Sequence, residues 1–281
     1  EPLPARSDTG GSSHGSPEIP TVSLADLQEF YKHPVKAFLR TRLRVSTPLT
    51  SDEGKDAMPI TLDGLEQWAV GDRLVRDVLQ GANPHSAKVA ESLRGLLPPG
   101  ALGAAVLEGI VDRVRPLVDY ASGLREGPAR TLDVDIDLGS HRLSGTVSGL
   151  HGNNLVSVSY SSLGAKHRIA GWLNALALAA GAPDENWTAH TIGRYGSSGK
   201  ISMIRPLPQG EAAALLGTLV QIRQQGLREP LPLPIKTSLA WAEEHCHVLR
   251  GRDADPDAAA LREWRTPAFN DSGFPKEDQD A

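Results

Sequence analysis

Cysteine is all but missing from this sequence: Cys246 stands alone. No disulfide can close within the chain, and a lone thiol fits a reducing compartment. Long apolar runs are missing as well. No window reaches the roughly 18 consecutive apolar residues that a membrane span needs, and Glu1-Pro2-Leu3-Pro4 has neither the basic nor the apolar region of a signal peptide. A cytoplasmic protein without membrane contact is expected. There is also no basic excess, since 29 Lys and Arg against 34 Asp and Glu leave a net charge of −5. A freestanding nucleic-acid binder usually carries surplus cations to neutralise phosphates, so contact with DNA is expected to be local or through partners. No Met opens the chain and its first residues read like the middle of something longer, so a fragment is expected.

What is present has the composition of an ordinary folded protein. Hydrophobic residues make up 40% and charged residues 22%, close to the globular average, and 281 residues could form one large domain or two small ones. Residues 1–20 hold Ser, Gly, Pro and Asp with almost no large apolar side chains. They cannot offset the entropy of ordering and are read as a disordered linker. The stretch 251–281 is rich in Asp, Ala and Pro. It is expected to carry one short helix near Ala258 to Trp264 and to be disordered from Asp271 to Ala281.

Order is expected from Ser23, a helix N-cap, with Leu24, Leu27, Phe30 and Tyr31 on one face before Pro34 interrupts. A second short helix should point Val35, Phe38, Leu39 and Leu43 inward. The spacing of Leu62, Leu65, Trp68, Leu74, Val75 and Leu79 predicts another helix, stopped by Gly81 and Pro84. Two more helical stretches follow, about Ser86 to Leu97 and Ala101 to Leu124, the latter with a kink or break at Pro116. After Gly127-Pro128 the period changes. Leu132, Val134, Ile136 and Leu138 alternate with Thr131, Asp133, Asp135 and Asp137, the signature of a half-buried strand. Turns at Gly139-Ser140 and at His151 to Asn154 separate it from strands at Arg142 to Leu150 and Leu155 to Tyr160, an antiparallel meander. Lys166 to Ala180 returns to helical spacing. Trp187 to Tyr195 and Ile201 to Arg205 form a hairpin around Gly196-Ser197-Ser198-Gly199, and a helix over about Gly210 to Gly226 closes the sheet. Leu231-Pro232-Leu233-Pro234 should be extended, and Thr237 to Leu249 reads as a further helix.

Several motif matches carry little chemistry. Gly11-Ser12-Ser13-His14-Gly15 matches G-x-S-x-G, which works only on a strand-turn-helix elbow, and here it sits in the linker. Gly193 to Lys200 resembles a phosphate loop one residue too long, with Ile201 where Ser or Thr should hold Mg²⁺; a hairpin turn is the better reading. His245-Cys246-His247 has no second ligand pair at zinc spacing and reads as a helix end. Asp133, Asp135 and Asp137 share one strand face and read as solvated, with metal ligation as the sharper option. Arg40, Arg42 and Arg44, and separately Arg194, Lys200 and Arg205, could touch phosphate, but solvated surface is favoured given the acidic balance.

The element order is that of the restriction-endonuclease-like PD-(D/E)XK fold, an α/β (mixed α+β) class with a central mixed sheet flanked by helices. In detail, Ser23-Leu24-Ala25-Asp26-Leu27-Gln28-Glu29-Phe30-Tyr31, running on to Arg42-Leu43-Arg44-Val45, resembles the opening of the C-terminal domain of the RecC family. So does Gly145 through Trp172, and Leu231-Pro232-Leu233-Pro234 with the later Ala240-Trp241 resembles that family's Leu/Pro-rich stretch and Ala-Trp pair. The likeness runs from about Ile19 to Glu244. It implies an inactive nuclease-like domain over 21–250, between the linker and the tail. Active relatives of the fold carry G-x-x-D on one strand and D-x-K on the next, the acids holding Mg²⁺ and the Lys serving the attacking water. Gly145-Thr146-Val147-Ser148 and Ser159-Tyr160-Ser161 put Ser148, Ser159 and Ser161 at those positions. The following helix shows His167, Trp172 and Asn174 in place of the Gln and Tyr of many active members.

The resemblance then implies a non-catalytic scaffold and DNA-guiding part of the RecBCD helicase-nuclease (exodeoxyribonuclease V) in recombinational repair of double-strand breaks. Its partners would be RecB, RecD and DNA, and in the family this part supplies a strand-splitting element and contacts to RecD. The domain itself would hold no cofactor, ATP and Mg²⁺ being used by other subunits. The alternative is an active Mg²⁺-dependent nuclease whose carboxylates have moved, for instance to Asp133, Asp135 or Asp137, and which would need them to converge with Lys166. A weaker reading, an inactive domain of an AddB-type system, is opposed by the missing cluster cysteines.

Overall fold

The computed structural model describes residues 19–45, 61–267 and 276–278. The expected linker therefore lies outside the described residues apart from Ile19 and Pro20, as does the Gly11 to Gly15 match. A mixed sheet of six strands forms the centre, from β1 (Thr21–Ser23), β2 (Arg130–Asp137), β3 (Arg142–His151), β4 (Asn154–Ser162), β5 (Thr188–Tyr195) and β6 (Ser198–Ile204). The meander β2-β3-β4 and the hairpin β5-β6 are antiparallel, as expected, while β4 and β5 run parallel across the connecting helix. The three-residue β1, which joins β3 in parallel, went unread because it is too short to show a period.

Helices cover both faces. On one lie α1 (Leu24–Lys32), α2 (Pro34–Arg42), α6 (Ala165–Gly181) and α7 (Gln209–Arg228); on the other lie α3 (Gly64–Leu79), α4 (Pro84–Leu93) and α5 (Gly100–Ser122). The alternation of strand side chains divides the core accordingly. Leu155 and Ala189 join the cluster under α6, while Val156, Tyr160 and Ile192 join the one under α3 and α5. α6 is apolar almost all round because it is sandwiched between the sheet and α7. α7 packs on α6, α2 and α1 and so forms an outer layer instead of closing the sheet directly.

Local signals explain most boundaries. The Ser23 hydroxyl accepts the Asp26 amide hydrogen at 2.9 Å and starts α1. Pro34, at the first position of α2, suits a helix start because its missing N–H would have no partner there. Asp63 and Glu66 form a reciprocal capping box at the start of α3. Asn83 caps α4 two residues earlier than expected, and Gly95, at φ 72°, follows its early end.

Several expectations are corrected. Val35 and Leu43 are exposed, since the buried stripe of α2 runs through Pro34 and Phe38, four residues apart, and Leu43 lies beyond the helix end. Leu65 is exposed because the inward stripe of α3 begins at Val70. α5 runs through Pro116 without a break. Val114, Leu117 and Ala121 anchor it on both sides of the proline, and Asp112, whose carbonyl loses its donor, is exposed to water.

The last helices, α8 (Ile235–Leu249) and α9 (Pro256–Trp264), pair with each other, and an Arg168–Glu243 ion pair ties α8 to α6. α8 forms where a helix over Thr237 to Leu249 is expected, and it has no fully buried residue. Part of the stretch expected to be disordered is placed: the Glu277 carboxylate accepts the Lys236 and Thr237 amide hydrogens at the start of α8, at 2.9 and 2.7 Å. The rest of Asp271 to Ala281 lies outside the described residues.

Candidate functional site

β3 and β4 pair only beside their turn, Leu150 with Leu155 and His151 with Asn154. Beyond that the two strands part, and β1 takes the vacated edge of β3 at Arg142 to Ser144. The fork is held open by the start of α1. A Cβ on Gly145 would lie 2.6 Å from the Leu24 Cβ, so only a glycine lets the first turn of α1 sit against β3 this closely.

On the α6 side of the fork is a cavity of about 350 Å³ whose wall includes Lys32, Ser157, Ser159, Lys166, His167 and Asn174. Lys32 comes from the end of α1, the serines from β4, and Lys166, His167 and Asn174 from α6. Its lining contains no Asp or Glu. The Gln28 side-chain amide donates to the Asn174 carbonyl at 2.6 Å, fixing one wall. Burial, and then the charge of Lys166, lower the His167 pKa below the usual 6.5, with a hydrogen bond to the Ser162 backbone opposing the shift and Lys32 adding a smaller decrease.

The three serines do not share one environment. Ser159 lines the cavity, and its hydroxyl accepts the Ser161 amide hydrogen at 3.1 Å. Ser161 accepts a 2.9 Å hydrogen bond from the indole N–H of Trp68 on α3, in a stretch of β4 where the register with β5 slips. Ser148 is exposed on β3, opposite Thr131, and is not part of the cavity wall.

Arg194, Lys200 and Arg205 also separate. The Arg194 guanidinium lies 4.4 Å from the centroid of the Tyr160 ring, on the α3 side of the sheet, and Lys200 sits over Tyr195. Lys200 pairs with Gly193, one residue out of phase with Arg194, which places the two on opposite faces. Arg205 is exposed just past the end of β6. Arg40 belongs to a separate small cleft with Arg223, Asp26 and Glu29.

Asp133, Asp135 and Asp137 point to solvent and are each engaged: Asp133 accepts from the Thr146 hydroxyl, Asp135 binds Arg142 through both oxygens, and Asp137 accepts from the Gly139 amide. Val134 and Ile136, which alternate with them, face α6, so the acids lie on the other side of β2 from Lys166 and do not converge with it. Among the described residues no group of three or more His, Cys, Asp or Glu side chains could hold a metal ion. His245 stacks on Trp241 and His247 contacts Glu244, within α8 itself.

Lys166 and His167 were visible in the sequence as the opening of the helix after the meander. Lys32 carried no signal, because only the seating of α1 in the fork brings it to the cavity.

No helix among the described residues is long and apolar enough to cross a membrane. The family model described as RecC C-terminal domain matches residues 19–246. The chain is 46% identical over 234 residues to the RecBCD enzyme subunit RecC of Mycolicibacterium smegmatis, covering 82% of this chain and 21% of that protein. It is 41% identical over 255 residues to the same subunit of Mycobacterium tuberculosis, covering 90% and 23%, and 24% identical over 246 residues to that of Escherichia coli, covering 88% and 21%. The chain thus spans roughly a fifth of the length of these curated relatives. Matched by the family model over most of its length, the chain belongs to the RecC C-terminal domain family.

Proposed function

We propose that this chain is a non-catalytic scaffold and DNA-guiding part of a RecBCD helicase-nuclease in double-strand break repair, an inactive PD-(D/E)XK-type domain that works against RecB and RecD. The reading rests on the family membership and on the name of the relatives, each a RecBCD enzyme subunit. The observation that carries the inactive part is the fork itself. Its cavity wall has hydroxyls and cations where Mg²⁺ chemistry needs carboxylates, and a neutral hydroxyl gives the cation too little charge to offset lost hydration. ATP and Mg²⁺ would act through other subunits. No observation favours the alternative of migrated carboxylates, since Asp133, Asp135 and Asp137 are engaged elsewhere.

The test is Mg²⁺- or Mn²⁺-dependent degradation of linear DNA by the purified 281-residue chain, beside a Ser148→Asp, Ser159→Asp, Ser161→Lys variant and co-purification with RecB and RecD. The natural chain should leave DNA intact and co-purify with its partners. Activity gained by the triple variant would support the alignment of the lost site. Metal-dependent cleavage by the natural chain that survives removal of contaminating nucleases refutes the scaffold reading.

A further inference from the structure

We propose that the fork cavity is a phosphate-binding site, in which Lys32 and Lys166 supply the charge and Ser157, Ser159 and Asn174 supply neutral hydrogen bonds. Two observations carry this. First, ammonium groups from two different helices border one cavity whose lining contains no carboxylate, although acidic residues outnumber basic ones in the chain as a whole. A concave wall of a single charge sign concentrates counter-ions. Second, the hydroxyls and the amide stand on the strand and helix that form the wall, so their positions are set by rigid elements.

The other features of the site agree. Gly164, just before α6, has no side chain to cap the helix, so the positive dipole end of α6 adds to the charge of Lys166 in its first turn. Lys32 is paired with Glu29 at 3.1 Å, but both side chains are well exposed, at 44% and 60%. Such a pair contributes little and gives way readily to an anion. His167 lines the same cavity and can accept or donate according to its protonation.

A nucleic-acid backbone phosphate and free phosphate share this chemistry. The nucleic-acid source rests on the DNA-guiding reading, whereas the anion site stands without it. Amide chemical shifts of the isotope-labelled 281-residue chain distinguish the two, with inorganic phosphate and a 20-nucleotide single-stranded oligonucleotide as probes at constant ionic strength. Both probes are expected to shift the Lys166 and His167 amides. Either Lys166→Gln or Lys32→Gln should weaken binding at least about tenfold, as loss of one charge-assisted hydrogen bond predicts. Ser159→Asp, which places a carboxylate in the wall, should abolish it, and Arg250→Gln, at an exposed position just past α8, should change nothing. Shifts with phosphate alone support a small-anion site and remove this contact from the DNA-guiding reading. Oligonucleotide binding that leaves both amides unmoved, or no response to either probe, overturns the proposal whether or not the chain co-purifies with RecB and RecD.

Discussion

Gly71→Ala tests how closely α3 lies on the sheet. A Cβ at this position would sit 2.2 Å from Tyr160 Cε1 and 2.4 Å from Cδ1 and Cζ. The ring has nowhere to go, because Tyr160 is 1% exposed and the Arg194 guanidinium lies 4.4 Å from its centroid. Two opposed effects set the sign. Alanine favours the helix by about 1 kcal/mol over glycine, and overpacking a dense core costs about 1–3 kcal/mol, occasionally more. With three ring atoms well inside contact distance the upper end applies, leaving a net loss of about 2 kcal/mol. Urea unfolding should show a lower midpoint at unchanged slope, and the melting temperature should fall by about 4–8 °C. In a Tyr160→Leu background the clash is relieved, so the same substitution should be neutral or stabilising by up to about 1 kcal/mol, a coupling that a double-mutant cycle reads directly. If Gly71→Ala stabilises the natural chain by that amount, the packing of Tyr160 against α3 is wrong.

Arg73→Met should cost about 3 kcal/mol, because Glu91, 1% exposed and held by Arg73 at 2.8 Å and by Arg94 at 2.9 Å, keeps only Arg94, the residue just past the end of α4; urea unfolding would refute this if the loss were below about 0.5 kcal/mol. Asp63→Ala removes the side-chain half of the capping box of α3, the carboxylate that accepts the Leu65 and Glu66 amide hydrogens, and should cost about 1 kcal/mol in the same assay. His167 and His190 have pKa values lowered from 6.5, in both cases by burial first. As acid is added the unfolded chain takes up the protons first, so stability is full above about pH 6.5 and falls as pH drops below it. A His167→Asn, His190→Asn variant should flatten that decline between about pH 5 and 7, and an unchanged slope would show that other groups cause it.

Periodic segments were legible and geometric coincidences were not. The meander showed in the sequence because Val134 and Ile136 alternate with acids, and its strands lie within a few residues of expectation. α1 was legible from one cap and four apolar positions. At Pro116 the missing N–H does not break the helix, because apolar anchors hold it on both sides. α8 was legible as a helix, but its packing largely on α9, which leaves Trp241 exposed, was not. The candidate site was half legible. Gly145, Ser159, Lys166 and His167 stood in a recognisable order, but the parting of β3 from β4, the entry of α1 and the arrival of Lys32 depend on contacts more than a hundred residues apart in sequence.

The net charge of the chain and the charge of its cavity lead to opposite expectations for DNA, and salt dependence decides between them. At about 0.1 M salt the screening length is about 10 Å, so a phosphate in the fork responds to Lys32 and Lys166 on its wall far more than to Asp133, Asp135 and Asp137, which face solvent on the other side of β2. Two neutralised phosphates on a single strand give a slope of log K against log salt of about −1.4. Fluorescence anisotropy of a labelled oligonucleotide between about 50 and 200 mM salt, the range over which such slopes are read, measures it. Lys32→Gln should reduce the slope by about 0.7. A slope of about −4 or steeper in the natural chain would require about six or more phosphate contacts. The two cavity lysines cannot supply that many, so the binding surface would then have to extend beyond the cavity to cations elsewhere on the chain.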